Sequence, residues 1–188
     1  LIDRLGPLRR STEPDLFAAL VHAIIAQQIS GRAAQSISDR LLEAAGALTA
    51  ERLASLEPAV VRGCGLSERK VSYIRRLAEA VGSGGLDLET LRHTSDAEVI
   101  RRLADLDGIG VWTAEMLLIF SLCRLDVLSW GDFGIRRGMA LLYGDRQLTR
   151  ERFERRRRRY TPYGSVVSLY LWALAGMEDA LARKVARG

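Results

Sequence analysis

The sequence predicts an all-α protein, and three observations carry that reading. Apolar residues recur at helical spacing almost everywhere, strict alternation over a strand length is hard to find, and residues that start and stop helices punctuate the chain. Predicted helices run over 14–29, 31–45, 50–63, 67–81, 95–104, 110–121, 132–143, 149–160 and 163–175, nine in all. Pro14 and Pro58 suit first-turn positions, Gly46 and Gly82 suit helix ends, and Ser95 with Glu98 has the spacing of a capping box. No stretch rich in Gly, Pro or Ser divides the 188 residues, and no repeat is visible. A chain of this length buries roughly 70% of its unfolded surface, so a core without disulfide staples is feasible.

Composition narrows the function classes. Basic residues number 28 against 23 acidic ones, and since Lys70 and Lys184 are the two lysines, 26 are arginine. Arginine presents a rigid donor fork to phosphate, which favours a polyanionic partner, although a solvated charged surface accounts for the same numbers. The densest charge is the run Arg155 to Arg159, for which a solvated face and electrostatic support for DNA are both open. Cys64 and Cys123 lie far apart without clustered histidines, so neither a zinc site nor a four-thiolate iron-sulfur cluster is expected, and reduced core thiols are. His22 and His93 lack a neighbouring nucleophile or metal-ligand partner and are given structural or surface roles. No apolar run approaches the ~20 residues that span a bilayer, and the first residues lack the charged-then-apolar order of a signal peptide. A membrane is not expected, the question of a leader stays open for a chain that begins at leucine, and the expected location is cytoplasmic and nucleoid-associated.

The most informative stretch is Leu103 to Ala114, where Gly108 and Gly110 flank Ile109 between two helical patterns. Glycines permit positive φ and close backbone approach to a ligand. A turn of this kind leaves the first amides of the next helix free at its positive end, where they can bind a phosphate. Ile109 would anchor the turn in the core. An ordinary helix-helix turn is the competing reading of Gly-x-Gly alone. Downstream, Asp132 opens a helical segment, where an aspartate commonly caps the helix.

Five ordered segments together resemble the helix-hairpin-helix (HhH-GPD) superfamily of DNA glycosylases, of the 3-methyladenine DNA glycosylase II type. They are Ile24 to Ser30, Gly65 to Lys70, Leu103 to Ala114 (Leu-x-x-Leu-x-Gly-Ile-Gly-x-Trp-Thr-Ala), Gly131 to Gly138, and Pro162 to Trp172. The resemblance spans roughly Leu16 to Gly176. It implies a two-lobed helical fold with a DNA-binding cleft between the lobes, the central lobe covering about 16–125 with the hairpin at 106–112. The second lobe would combine the N-terminal residues with about 126–188, and no separate N-terminal β domain is expected.

The same resemblance implies roles. Asp132 becomes the catalytic carboxylate, stabilising positive charge on the deoxyribose as a purine departs. Trp112, Trp172, Met116, Phe133 and Tyr163 would line a pocket for a base rotated out of the duplex. Gln28 would fill the gap left behind, and Gly108, Ile109, Gly110 and Thr113 would hold a DNA phosphate. A Na+ or K+ ion could sit on the hairpin carbonyls of Leu106 and Ile109, and no other cofactor is expected. Bifunctional relatives carry a lysine nucleophile where this chain has Trp112, which implies base excision without strand cleavage. The expected partner is double-stranded DNA containing alkylated bases, 3-methyladenine and 7-methylguanine among them, bound by a monomer. Rival readings are a glycosylase for oxidised or mismatched bases and a non-catalytic protein that uses the hairpin only to grip DNA.

Overall fold

A computed structural model describes the backbone of residues 2–185 and the side chains of residues 2–177, so the outermost positions of the predicted second lobe lie outside the described residues. The described residues form helices and no strand: α1 (Ile2–Leu5), α2 (Leu16–Ala26), α3 (Gly31–Ala45), α4 (Ala50–Ser55), α5 (Pro58–Gly63), α6 (Glu68–Gly82), α7 (Leu88–Arg92), α8 (Asp96–Ala104), α9 (Val111–Phe120), α10 (Phe133–Tyr143), α11 (Arg150–Arg157) and α12 (Gly164–Val185). Twelve helices replace the nine predicted, for local reasons. Leu56 and Glu57 turn extended before Pro58, because a residue preceding proline is driven out of the helical region, and the predicted 50–63 helix breaks into α4 and α5. Pro14 does not open α2, because Asp15 takes the cap and its carboxylate accepts the Ala18 amide at 3.0 Å. Asp87 caps the short α7, which its five residues made invisible to periodicity. Ser95 does cap α8 through the Glu98 amide, and Gly46, at φ 74°, ends α3.

The chain divides into two compact units, Glu13–Leu117 and a second assembled from residues up to Thr12 with those from Leu118 onward. In the first, α2 is apolar on every face and runs through the core, burying Leu16, Phe17, Leu20, Val21, Ile24 and Ile25 against α3 and α6. Amphipathic α6 brings Val71, Ile74 and Leu77 inward and packs on α2, α4 and α5. In the second unit, α10 lies along α12 over a core of Leu128, Ile135, Met139, Phe153 and Leu171. A side chain on Gly138 would run into the Leu171 backbone, so the two helices touch main chain to main chain. Cys64 is buried, as a core thiol should be, with its thiol pushed up by that burial. Cys123 is exposed at φ 55°, against the expectation for both cysteines. Among the described residues no helix is long and apolar enough to cross a membrane.

Candidate functional site

In the Glu13–Leu117 unit the turn after α8 reaches α9 through Gly108, whose φ of 84° an L side chain rarely adopts. A Cβ there would also collide with the ring of Tyr73, so this position admits glycine on two counts. Ile109 is buried and its amide bonds the Leu106 carbonyl at 3.1 Å, which pins the turn as predicted. Nothing lies within 4 Å of where a Gly110 Cβ would be, so the main chain there faces open space. The first amides of a helix find no acceptor within it, and the start of α9 carries the positive end of the helix dipole, a setting that favours an anion. Thr113 is 7% exposed, so its hydroxyl is withdrawn and any contact it offers an anion runs through its amide. Asp107, directly before the first glycine, is ion-paired with Arg76, so its charge is matched locally.

The turn is bolted to the end of α2. Gln27 donates its side-chain amide to the Gly108 carbonyl at 2.6 Å. Lys70 reaches from α6 and donates to the carbonyls of Ile25 at 2.8 Å and Gln27 at 2.7 Å, satisfying orphan acceptors at the α2 C-terminus. Burial lowers the Lys70 pKa. The next residue, Gln28, stands exposed at φ 58°, a left-handed conformation that a non-glycine residue keeps only when its surroundings impose it. Sequence reasoning placed Lys70 in a matched segment without a role and did not single out Gln27 or Tyr73. The one available signal was a lysine in a chain whose cations are otherwise nearly all arginine.

In the second unit, Asp132 is the cap of α10, with φ −80° and ψ 119°, and is only 7% exposed. Its Oδ1 accepts the Ile135 amide at 2.7 Å and the Trp172 indole Nε1–H at 2.8 Å. The carboxylate therefore sits at the positive end of a helix with one oxygen held by two donors from different elements. Gly134 makes the arrangement possible: a Cβ there would lie 2.7 Å from Trp172 Cδ1 and 3.3 Å from Asp132 Oδ1. Trp172 also stacks on Phe120, with ring centroids 5.8 Å apart. The approach to Asp132 is stitched to α12. Ser165 Oγ donates to the Arg124 carbonyl at 2.7 Å and accepts the Val127 amide at 3.0 Å, and Ser168 Oγ donates to the Val127 carbonyl at 3.0 Å. Trp130 turns edge-on to Phe153, 5.2 Å between centroids, and anchors the loop from inside.

The remaining predicted residues separate. Phe133, adjoining Asp132, is 68% exposed, and in the other unit Trp112 is 48% exposed with Met116 one turn further along α9. Tyr163 is 58% exposed and lines a groove of about 730 Å³ with Tyr160, Tyr170, Leu142 and Val166, in which neither Asp132 nor Trp172 takes part. Among the described residues no group of three or more His, Cys, Asp or Glu side chains could hold a metal ion.

The family model described as "HhH-GPD superfamily base excision DNA repair protein" matches residues 21–162. The crystal structure of a DNA-3-methyladenine glycosidase from Bacillus halodurans superposes with a TM-score of 0.88 at 38% identity, over 95% of this chain and 84% of that one. The Schizosaccharomyces pombe 3-methyladenine DNA glycosylase in complex with abasic DNA gives a TM-score of 0.78 at 31% identity, over 91% of this chain and 87% of that one. The DNA-3-methyladenine glycosylase of Saccharomyces cerevisiae is 33% identical over 92% of this chain and 71% of its own length. With the glycine hairpin, the capping aspartate and these matches in place, the chain belongs to the HhH-GPD superfamily of base excision DNA repair proteins.

Proposed function

We propose that this chain is a DNA glycosylase that hydrolyses the bond between deoxyribose and an alkylated purine in duplex DNA, leaving the backbone uncut. The observation that carries the reading is the buried Asp132 carboxylate held by Ile135 N–H and Trp172 Nε1–H. Departure of a purine leaves its sugar electron-poor, and a carboxylate already fixed in place stabilises that charge without reorganising as it develops. The carboxylate can also orient or deprotonate the attacking water, which completes hydrolysis. A purine alkylated on a ring nitrogen is cationic and leaves as a neutral base, so the enzyme need supply little acid.

Trp172 is the positioning residue of this site, since its indole spends its one donor on Asp132 and its face on Phe120. Trp112 and Phe133, each exposed in its own unit, and half-buried Met116 are assigned to the base, the aromatic rings by stacking and cation-π attraction. Gln28, displayed by its left-handed turn, is assigned to the gap in the duplex, and the amides around Gly110 to a backbone phosphate. A Na+ or K+ ion fits the hairpin to this extent: the Leu106 carbonyl, bonded by the Ile109 amide, keeps a second lone pair, and the Ile109 carbonyl is the other neutral oxygen assigned to the ion. Such an ion would add positive charge beside the phosphate.

The decisive measurement is release of 3-methyladenine and 7-methylguanine from alkylated duplex, with strand integrity followed before and after alkali. Free base with strands cut only after alkali is the expected result. Duplex binding without base release would reduce the chain to a DNA-gripping scaffold, and nicking before alkali would remove the monofunctional assignment.

A further inference from the structure

The excess positive charge of the chain is confined to one short segment. Residues 145–160 hold eight arginines against three acids, which equals the net charge of +5 for all 188 residues, and the remaining residues carry twenty of each sign. Helix α11 divides these arginines between two faces. Inward, Phe153 is fully buried and Arg156 pairs with Asp145 while lying 3.8 Å over the Tyr143 ring. Tyr143 and Tyr160 share a hydroxyl hydrogen bond of 2.6 Å beside them, so the helix is anchored on that side. Outward, Arg155, Arg158 and Arg159 are exposed, with Arg146 and Arg150 exposed just upstream.

From this we propose that the exposed side of α11 and of the turn that ends it is a second duplex-contact surface, gripping sugar-phosphate backbone through Arg155, Arg158 and Arg159 independently of the hairpin. Two bland explanations fall short of the pattern. Cations in a last helical turn gain from the helix dipole, but that effect ends within the turn and does not reach Arg159 or Arg146. A solvated surface mixes its signs, as the rest of this chain does, whereas here the charge is concentrated and Asp145 and Glu154 are already engaged by Arg152, Arg156 and Arg157. Arginine forks fit phosphate oxygens two at a time, and a fixed row of them provides affinity without sequence preference. The proposal rests on the reading of this chain as an enzyme of duplex DNA.

The test measures binding to a short undamaged duplex between about 50 and 200 mM salt, where each phosphate contact contributes about −0.9 to the log-log slope. The triple variant Arg155→Gln, Arg158→Gln, Arg159→Gln is expected to flatten the slope by about 2.7. Two comparators guard the conclusion: the corresponding Arg→Lys triple, which keeps the charge, and Arg4→Gln, Arg9→Gln, Arg52→Gln, which removes as much charge elsewhere. Both are expected to keep the wild-type slope. An unchanged slope in the first triple overturns the proposal, as does equal flattening in either comparator. Base release by wild type is scored separately, so failure of the glycosylase reading and failure of this surface give different results.

Discussion

Among the described residues three helices are capped by an aspartate, at Asp15, Asp87 and Asp132, and of these only Asp132 is buried and held by a second, distant donor. Asp15 before α2 and Asp132 before α10 have nearly the same backbone, φ −78° with ψ 105° and φ −80° with ψ 119°, and each carboxylate accepts the amide three residues on. Locally they are the same cap. Asp15 is exposed, whereas Asp132 is buried and its Oδ1 receives a second donor from Trp172, 40 residues away. The difference is made by two helices crossing: Gly138 lets α10 touch α12, and Gly134 leaves space for the indole to reach the carboxylate. A helix cap is thus a cheap starting material, and long-range packing converts it into a fixed charge.

The most direct way to break that comparison is to neutralise both caps. Asparagine caps helices about as well as aspartate, so neither Asp15→Asn nor Asp132→Asn is expected to move stability by more than about 0.5 kcal/mol. Base release should fall by about 10² to 10³ in kcat for Asp132→Asn and stay at the wild-type level for Asp15→Asn. Equal losses in the two variants would show that the assay follows helix integrity and not the carboxylate.

A smaller effect sharpens what Trp172 contributes. Trp172→Phe keeps a ring against Phe120 but removes the Nε1–H that Asp132 accepts. Losing one charge-assisted donor is worth about 1.5 to 3 kcal/mol, so kcat should drop at least tenfold with KM held, because the carboxylate is less fixed while base contacts remain. A rise in KM at constant kcat would instead return Trp172 to the wall of a base pocket. Gly134→Ala attacks the same contact from the other side. Its Cβ must displace the indole, at an overpacking cost of about 1 to 3 kcal/mol measurable by thermal melting.

What the sequence made legible follows the range of the interactions. Helix α3 was delimited by its residues: the predicted 31–45 is the observed span, Gly46 ends it as expected, and the structure adds Ser30 as the cap at its start. The hairpin was readable because the positive φ of Gly108 and the burial of Ile109 are local demands of the turn, while the Tyr73 ring that also excludes a side chain at Gly108 was not. Illegible were partners brought together from a distance. Nothing around Asp132 announces Trp172, and nothing around Gln28 announces that Lys70, 42 positions later, ties down the turn that sets its left-handed backbone. Asp107 makes the same point in reverse: beside a phosphate site its charge looks adverse, and its match with Arg76 is visible only once α6 is folded against the hairpin. The 50–63 stretch was misread for a local reason, an apolar rhythm that runs on past Leu56 although Pro58 forbids the helix from doing so.

Lys70 extends the comparison to the first unit, where an anchored turn again depends on a remote donor. Lys70→Met keeps most of the side-chain stem and drops two charge-assisted bonds to the carbonyls of Ile25 and Gln27. The expected cost is about 2 kcal/mol by denaturant unfolding, and preference for lesion-bearing over undamaged duplex should fall with it as Gln28 loses its support. Stability lost without any change in that preference would separate Lys70 from the wedge.

The smallest effect concerns α8, whose first turn, after the Ser95 cap, carries solvent-facing ion pairs instead of a buried aromatic donor. Glu98 accepts from Arg101 at 2.7 and 2.8 Å and from Arg102 at 2.7 Å, and these guanidinium hydrogen bonds hold its carboxyl down to about 2 from an ordinary 4.5. A carboxyl lowered by folding contributes its stability in full above the unfolded value and loses it as pH falls through the folded one. Wild type should therefore exceed Glu98→Gln at neutral pH, with the gap closing between about 4.5 and about 2 in acid-unfolding curves. Because the pair is exposed, salt should narrow the same gap, whereas the Asp132→Asn loss in base release at saturating duplex should persist, since a buried carboxylate is screened far less. A gap that ignores both acid and salt would mean that Glu98 supports α8 through packing and not through its charge.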